Sequence, residues 1–338
     1  MILLPVRKIH ILCFLPALAL FSCSIPDRPV SKEEALALAH RIERSVIQHD
    51  NSVLNRIFDE KAFAGRVAKA GGFFFKKELI QGVIEGLHKR EFGKEILGAL
   101  GDSGSYELIK QYEKDHKQHI LFRLYSDGSV NYHDFELIKR EDESVRAADL
   151  FVYLSGEDLS KTIADALQQV NTDISKEELE KLNTVNTIKS LVAEKDYEKA
   201  GQYYDQLPAS IKKGKAFQII HVTICANLGN EKYLQAINEY RSLYPHDPNM
   251  YLMMVDAYTL QQNYPMALES VNKLDSLIDK DPYQDYQRGL LYLLMKDTVR
   301  ALGYFEQLHK NMPAFRQGTM LLNRLKKIRD DEGPQHRP

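Results

Sequence analysis

A Tyr-x-x-Ala pair recurs through the second half of the chain, at Tyr197/Ala200, Tyr233/Ala236 and Tyr264/Ala267, with a looser copy at Thr298/Ala301. The alanines stand 36, 31 and 34 residues apart. A bulky residue follows each alanine by four: Tyr204, Tyr240, Val271 and Phe305. Pro248 and Pro313 each lie twelve residues after an alanine, while Pro282 comes three later, after Asp279-Lys280-Asp281. A period near 34 residues describes a unit of two antiparallel helices. The small residue lets the helices approach, the bulky one fills the gap to the neighbour, and proline ends one unit and starts the next. One such unit cannot bury its own apolar face, so the units must stack. The pattern therefore predicts an all-α helical-repeat solenoid over residues 183–315, with three to four repeats. A capping helix from Ala314, turning Leu321, Leu322, Leu325 and Ile328 inward, and a polar tail fill residues 316–338. The first copy departs most, since Pro208 comes early.

Over residues 183–315 this arrangement resembles the tetratricopeptide repeat. The resemblance implies that the first helix of each unit lines a concave face that takes a protein or peptide partner. Counting back from the alanines places Asn249, Leu252, Asp256 and Thr259 there in the third unit, and Tyr283, Tyr286, Leu290 and Leu293 in the fourth. Asn249, Asp256, Tyr283 and Tyr286 are the expected partner-binding residues. Two tyrosines one turn apart make a rigid amphipathic platform, and the two polar residues suit a peptide backbone. The plainer alternative packs Leu290 and Leu293 under the capping helix and makes Tyr286 a packing residue.

The amino-terminal half reads differently. Ser31-Lys-Glu-Glu34 is a capping box, and apolar residues at 35, 38, 42, 46, 53 and 57 form a helical stripe. Asp50-Asn51-Ser52 is placed to break and recap that helix, and a further helix is expected from Lys76 to Leu100. Period-two stretches then predict four strands: Tyr106–Tyr112, His119–Tyr125, Val130–Lys139 and Val145–Leu154. A helix from Glu157 to Val170 closes the unit. Residues 31–170 are thus an α+β domain of helices plus a curved antiparallel four-stranded sheet, with residues 171–182 as linker. The order resembles the nuclear transport factor two-like (SnoaL-like) fold, whose members include isomerases, dehydratases and binding modules. That resemblance implies a cone pocket, for which Tyr132, Asp134, Asp149 and Tyr153 are candidates, since a carboxylate beside a tyrosine in an apolar cone suits acid–base work. Alternatively these residues form a solvated outer face of the sheet.

The first residues set the expected compartment. Arg7-Lys8 precedes an apolar run from Ile9 to Phe21, too short to span a bilayer but suited to a secretory signal. Leu20-Phe21-Ser22-Cys23 resembles the bacterial lipobox. It implies a signal peptide of residues 1–22, lipidation of Cys23, a tether over 23–30, and a periplasm-facing membrane anchor. Ser24 rather than Asp after the cysteine favours the outer membrane. Cys225 then remains as a thiol in an apolar helix, expected to be buried and inert.

Lys+Arg of 45 against Asp+Glu of 47 argues against a nucleic-acid partner bound through bulk charge. No phosphate loop, dinucleotide loop, His-Glu-x-x-His or Cys-x-x-Cys is present. Gly101-Asp102-Ser103-Gly104-Ser105 looks like a protease nucleophile segment but stands alone and reads as a turn. His116, His119 and His133 do not supply three converging metal ligands. No cofactor and no catalytic residue is expected. The expected function is a lipid-anchored envelope adaptor that binds a protein or peptide through helical repeats. The alternative is a small-ligand binder or acid–base enzyme using the amino-terminal cone.

Overall fold

Ser31 opens the first helix as expected. Its hydroxyl accepts from the Glu34 N–H at 3.2 Å, and the Glu34 carboxylate accepts from the Ser31 N–H at 2.9 Å. The computed structural model describes residues 29–331 apart from 73–76, 90, 102, 127, 169–175, 246 and 248. The leader, Cys23, most of the tether, Pro248 and the tail from 332 lie outside the described residues. Helix α1 (Lys32–Ile47) ends where the Asp50 segment stands, and α2 (Ser52–Asn55) follows as one turn, with the Ser52 N–H bonded to the Asp50 carboxylate. Residues 60–71, unassigned from sequence, form α3 (Glu60–Gly71), capped by Asp59.

The single helix expected over 76–100 is two, α4 (Lys77–Lys89) and α5 (Phe92–Leu100). Gly93 supplies the reason for the second. A Cβ there would stand 2.4 Å from the Asn51 carbonyl oxygen, and the Gly93 N–H donates to the Asn55 side chain at 2.7 Å. The chain must turn after α4 to bring α5 onto α2.

The sheet is an antiparallel meander of β1 (Ser105–Lys114), β2 (Lys117–Ser126), β3 (Ser129–Lys139), β4 (Val145–Val152) and β5 (Glu157–Asp158), in that order. The four expected strands are present, and the two-residue β5 makes a fifth. Asp115 and His116 both take positive φ in the β1–β2 turn, the geometry whose twist suits a two-residue hairpin. A bulge sets Glu136 opposite Asp149 and Leu137 opposite Ala147, leaving Ala148 between them. Ala147, not Ala148 as simple alternation predicts, therefore joins Leu150 in the core. That core lies between α1 and one sheet face, where Ile42, Ile120, Phe122 and Phe135 are wholly buried. Helix α6 (Leu159–Gln168) packs with α3 and α4 around Phe63, Val67 and Ala164.

The rest of the chain is mostly helical: α7 (Lys176–Ala193), α8 (Tyr197–Asp205), the one-turn α9 (Ala209–Lys212), α10 (Lys215–Ala226), α11 (Asn230–Leu243), α12 (Met250–Leu260), α13 (Tyr264–Leu277), α14 (Tyr283–Leu294), α15 (Thr298–Asn311) and α16 (Arg316–Asp331). Residues 176–182, expected in the linker, belong to α7. One turn recurs. Lys195, Gln262 and Lys296 take φ of 62°, 59° and 60°, and Gly229 takes 125°. These positions are 34, 33 and 34 residues apart. In three of them the N–H groups of that residue and the next reach back to carbonyls three and five residues earlier, as with Lys195 to Val192 and Asp196 to Leu191. This is the left-handed helix terminus that satisfies otherwise orphaned carbonyls. The next residue, Asp196, Asn263 or Asp297, then caps the following helix. Ala200, Ala236, Ala267 and Ala301 are buried at the crossings that follow. Gly289 also permits a close crossing, because a Cβ there would stand 2.8 Å from the Phe305 ring.

Ala267 sits among Val255, Val271 and Leu291. Ala267→Leu should overpack that crossing and cost about 1–3 kcal/mol. A thermal melt of the full chain should show a lowered Tm. An unchanged Tm would mean that α12 and α13 do not cross there.

Candidate functional site

The sheet face opposite α1 is not solvated. It packs against the helical half, with Leu121 and Tyr132 buried against Leu274 and Ile278. Arg123 of β2 is 1% exposed and forms ion pairs with Asp281, just before α14, and with Glu107 of β1. Its guanidinium also lies over the Tyr283 ring, 5.6 Å from the centroid. Tyr132 donates its hydroxyl proton to the Asp281 carboxylate at 2.8 Å and accepts from the Gln284 amide at 2.8 Å. A second link is Lys215 of α10. Its ammonium lies 2.8 Å from Asp247, 3.5 Å from Glu157 and 3.4 Å from the Gly156 carbonyl.

These contacts show where both sets of candidate residues lie. Tyr132 and Asp134 share a sheet face with Tyr153, whose ring meets Tyr132 edge-on at 5.7 Å. They line no open cone. Asp134 accepts from the Tyr112 hydroxyl and lies 3.2 Å from His119. Asp149 is turned elsewhere, accepting from the Ser160 hydroxyl and N–H at the start of α6. Burial pushes Asp149 up to about 6 and Tyr153 up to about 12. On the helical side, Tyr283 has no exposed surface; its ring is enclosed by Tyr125, Tyr286 and Phe315. Asn249 is equally buried, donating to the Leu154 carbonyl at 2.9 Å and to the Tyr240 hydroxyl at 2.8 Å. Tyr286, Leu290 and Leu293 pack with Leu322 and Leu325 of α16, as the plainer alternative had it. Asp256 alone of the four is exposed. Cys225 is buried, and burial raises its thiol pKa.

One open cleft, of about 710 Å³, lies between the two halves, within the range of roughly 300–1,000 Å³ typical of ligand sites. The sheet side contributes Leu124, Asn131, His133 and Val152, with Phe92 and Ile96 of α5. The helical side contributes Val222, Thr223, Asn227, Tyr233, Met253, Asp256 and Gln284. No lysine or arginine is among the described residues lining it. Asp256 accepts from the Tyr233 hydroxyl at 2.9 Å, and the surrounding walls push its carboxyl pKa up. Among the described residues no three His, Cys, Asp or Glu side chains are grouped to hold a metal.

The protonation of His133 follows from its neighbours. Asn131 Oδ1 accepts two backbone N–H bonds, from Tyr132 and Leu154, each 2.8 Å. Its Nδ2 is thereby the atom that faces His133 Nε2 at 3.2 Å. Nε2 must accept, so the proton sits on Nδ1, 3.1 Å from the Tyr106 hydroxyl. A second proton would set two donors face to face. Burial pushes the His133 pKa down to about 4. Sequence reading gave His133 a polar structural role in preference to a metal site. It missed Arg123, Tyr233 and Gln284, and it used Asp281 only as part of a spacing irregularity.

Unfolded His133 titrates near its ordinary value, so between pH 6.5 and about 4 the unfolded chain binds a proton that the folded chain refuses. The native state therefore loses stability on acidification through that window, by about 3 kcal/mol in all. Raised Asp149 acts in the opposite sense. His133→Gln can keep both hydrogen bonds without titrating. Urea unfolding at pH 7 and pH 4.5 should show a smaller acid loss in this variant than in the wild type; equal losses would mean that His133 is not held neutral.

Comparison with protein-family models, with curated proteins and with solved structures returned no match to this chain.

Proposed function

We propose that this chain is a lipid-anchored adaptor of the bacterial cell envelope. Its mature form begins at Cys23, which carries the acyl chains and holds it on the outer membrane facing the periplasm. Its helical half is a tetratricopeptide-like solenoid, and its sheet domain is a nuclear transport factor two-like module with a filled interior. A protein partner inserts a segment into the cleft between them.

The observation that carries this reading is the recurrence of a positive-φ residue at 195, 229, 262 and 296, near the period expected of paired helices that stack. Binding rather than acid–base catalysis is favoured by the carboxylates. Asp134 and Asp149 are each taken up by neighbouring donors, the Tyr112 and Ser160 hydroxyls. The anchor rests on the lipobox-like residues; among the described residues no helix is long and apolar enough to cross a membrane. Several acyl chains hold a protein durably, each buried CH₂ contributing about 0.8 kcal/mol.

Metabolic labelling with an alkyne fatty acid should mark the wild type, and Cys23→Ser should lose the label and move to the soluble fraction. A Cys23→Ser protein that stays on membranes, beside an unlabelled wild type, contradicts the anchor. A photo-crosslinker at Asn227, on the cleft wall, should capture a discrete envelope protein; capture only from the far end of α16 would move the partner surface away from the cleft.

A further inference from the structure

The cleft has a chemical bias that narrows what it can accept. Its walls are mainly aliphatic, and Asp256 is an exposed carboxylate on its helical side that accepts from the neutral Tyr233 hydroxyl. His133, on the sheet side of the lining, is held neutral by its neighbours. An anionic ligand would meet the Asp256 carboxylate and, among the described lining residues, no lysine or arginine. A ligand with a positive charge finds a partner in a partly desolvated setting, where a charge pair is worth more than on open surface.

Gln284 gives an independent indication. It is 1% exposed and lines the cleft. Tyr132 donates to the Asp281 carboxylate, so the Tyr132 oxygen must accept from Gln284, which fixes Nε2 toward Tyr132. The other end of the amide, Oε1, is buried with no hydrogen-bond partner. A buried acceptor left unsatisfied costs about 1–3 kcal/mol, and a donor brought by a ligand removes that cost. Asp256 is exposed to solvent while Gln284 is buried, so the cleft lining runs from an open to an enclosed end. A chain can therefore enter and leave it, which suits an extended segment.

Resting on the adaptor reading, we propose that the cleft binds an extended apolar peptide segment carrying one basic side chain, with the cation at Asp256 and a backbone N–H directed to Gln284. Anionic segments are rejected by the same walls.

The test uses calorimetric titration of the soluble full chain, Cys23→Ser, with capped seven-residue peptides of leucine and valine around one central residue. The lysine peptide should bind at least tenfold more tightly than the matched glutamate peptide. Asp256→Asn, which keeps an acceptor for Tyr233, should reduce that preference below threefold. Asn227→Arg should weaken the lysine peptide by blocking the cleft. Equal binding of the two peptides, or a preference that survives Asp256→Asn, overturns the proposal. Saturable binding of dodecylammonium without binding of the lysine peptide also overturns it and makes the cleft a site for a small amphiphile. If the Asn227 crosslink captures a protein while the peptides show no preference, the adaptor reading stands and this proposal fails. If neither binds, both fail.

Discussion

A guanidinium buried to 1% exposure cannot be left alone, and the position of Arg123 dictates how the two halves of this chain meet. An unpaired buried charge costs several kcal/mol, so Arg123 requires a carboxylate within reach. Glu107, on the neighbouring strand, supplies one from within the sheet domain; Asp281 supplies the other from more than 150 residues away. Asp281 in turn orients Tyr132, and Tyr132 orients Gln284. The aromatic group of Tyr125, Tyr283 and Phe315 closes one side of this network, and Leu121 with Leu274 and Ile278 closes another. The cleft exists because the halves dock here and again where Lys215 meets Glu157 and the Gly156 carbonyl, leaving the space between α5, α10 and α12 unfilled.

Much of the local structure was legible in the sequence because local chemistry determines it. The capping box at Ser31, the strands from β1 to β4, the break at Asp50 and the buried alanines all follow from spacing and from side-chain preferences. Misreadings arose where a distant contact overrode a local pattern. Helix continuity over 76–100 failed because Gly93 must approach Asn51. Alternation along β4 failed at a bulge, which one strand alone does not reveal.

The candidate site was hardest to read for the same reason. A sheet face carrying Arg123, Tyr132 and Asp134 has the composition of a solvated face, and only a contact across 149 residues, Tyr132 to Asp281, shows that it is interior. Tyr283 looked like an exposed platform because the repeat resemblance implies an accessible face there, whereas its ring meets Tyr125 of the chain's own sheet. One signal was available. The Asp279-Lys280-Asp281 insertion that delays Pro282 supplies Asp281 to Arg123 and places Asp279 3.4 Å from Lys110. An interruption of a regular repeat marked the docking point.

The central claim is that the Arg123–Asp281 pair couples the two halves into one unit. A double-mutant cycle read by denaturant unfolding tests it most directly. Asp281→Leu and Arg123→Met should each destabilise the chain by about 3–5 kcal/mol, since each breaks the buried pair and leaves a buried charge short of partners, while the double variant should recover most of that loss because two apolar groups replace the pair. Additive losses in the double variant, or single variants as stable as the wild type, would contradict the account.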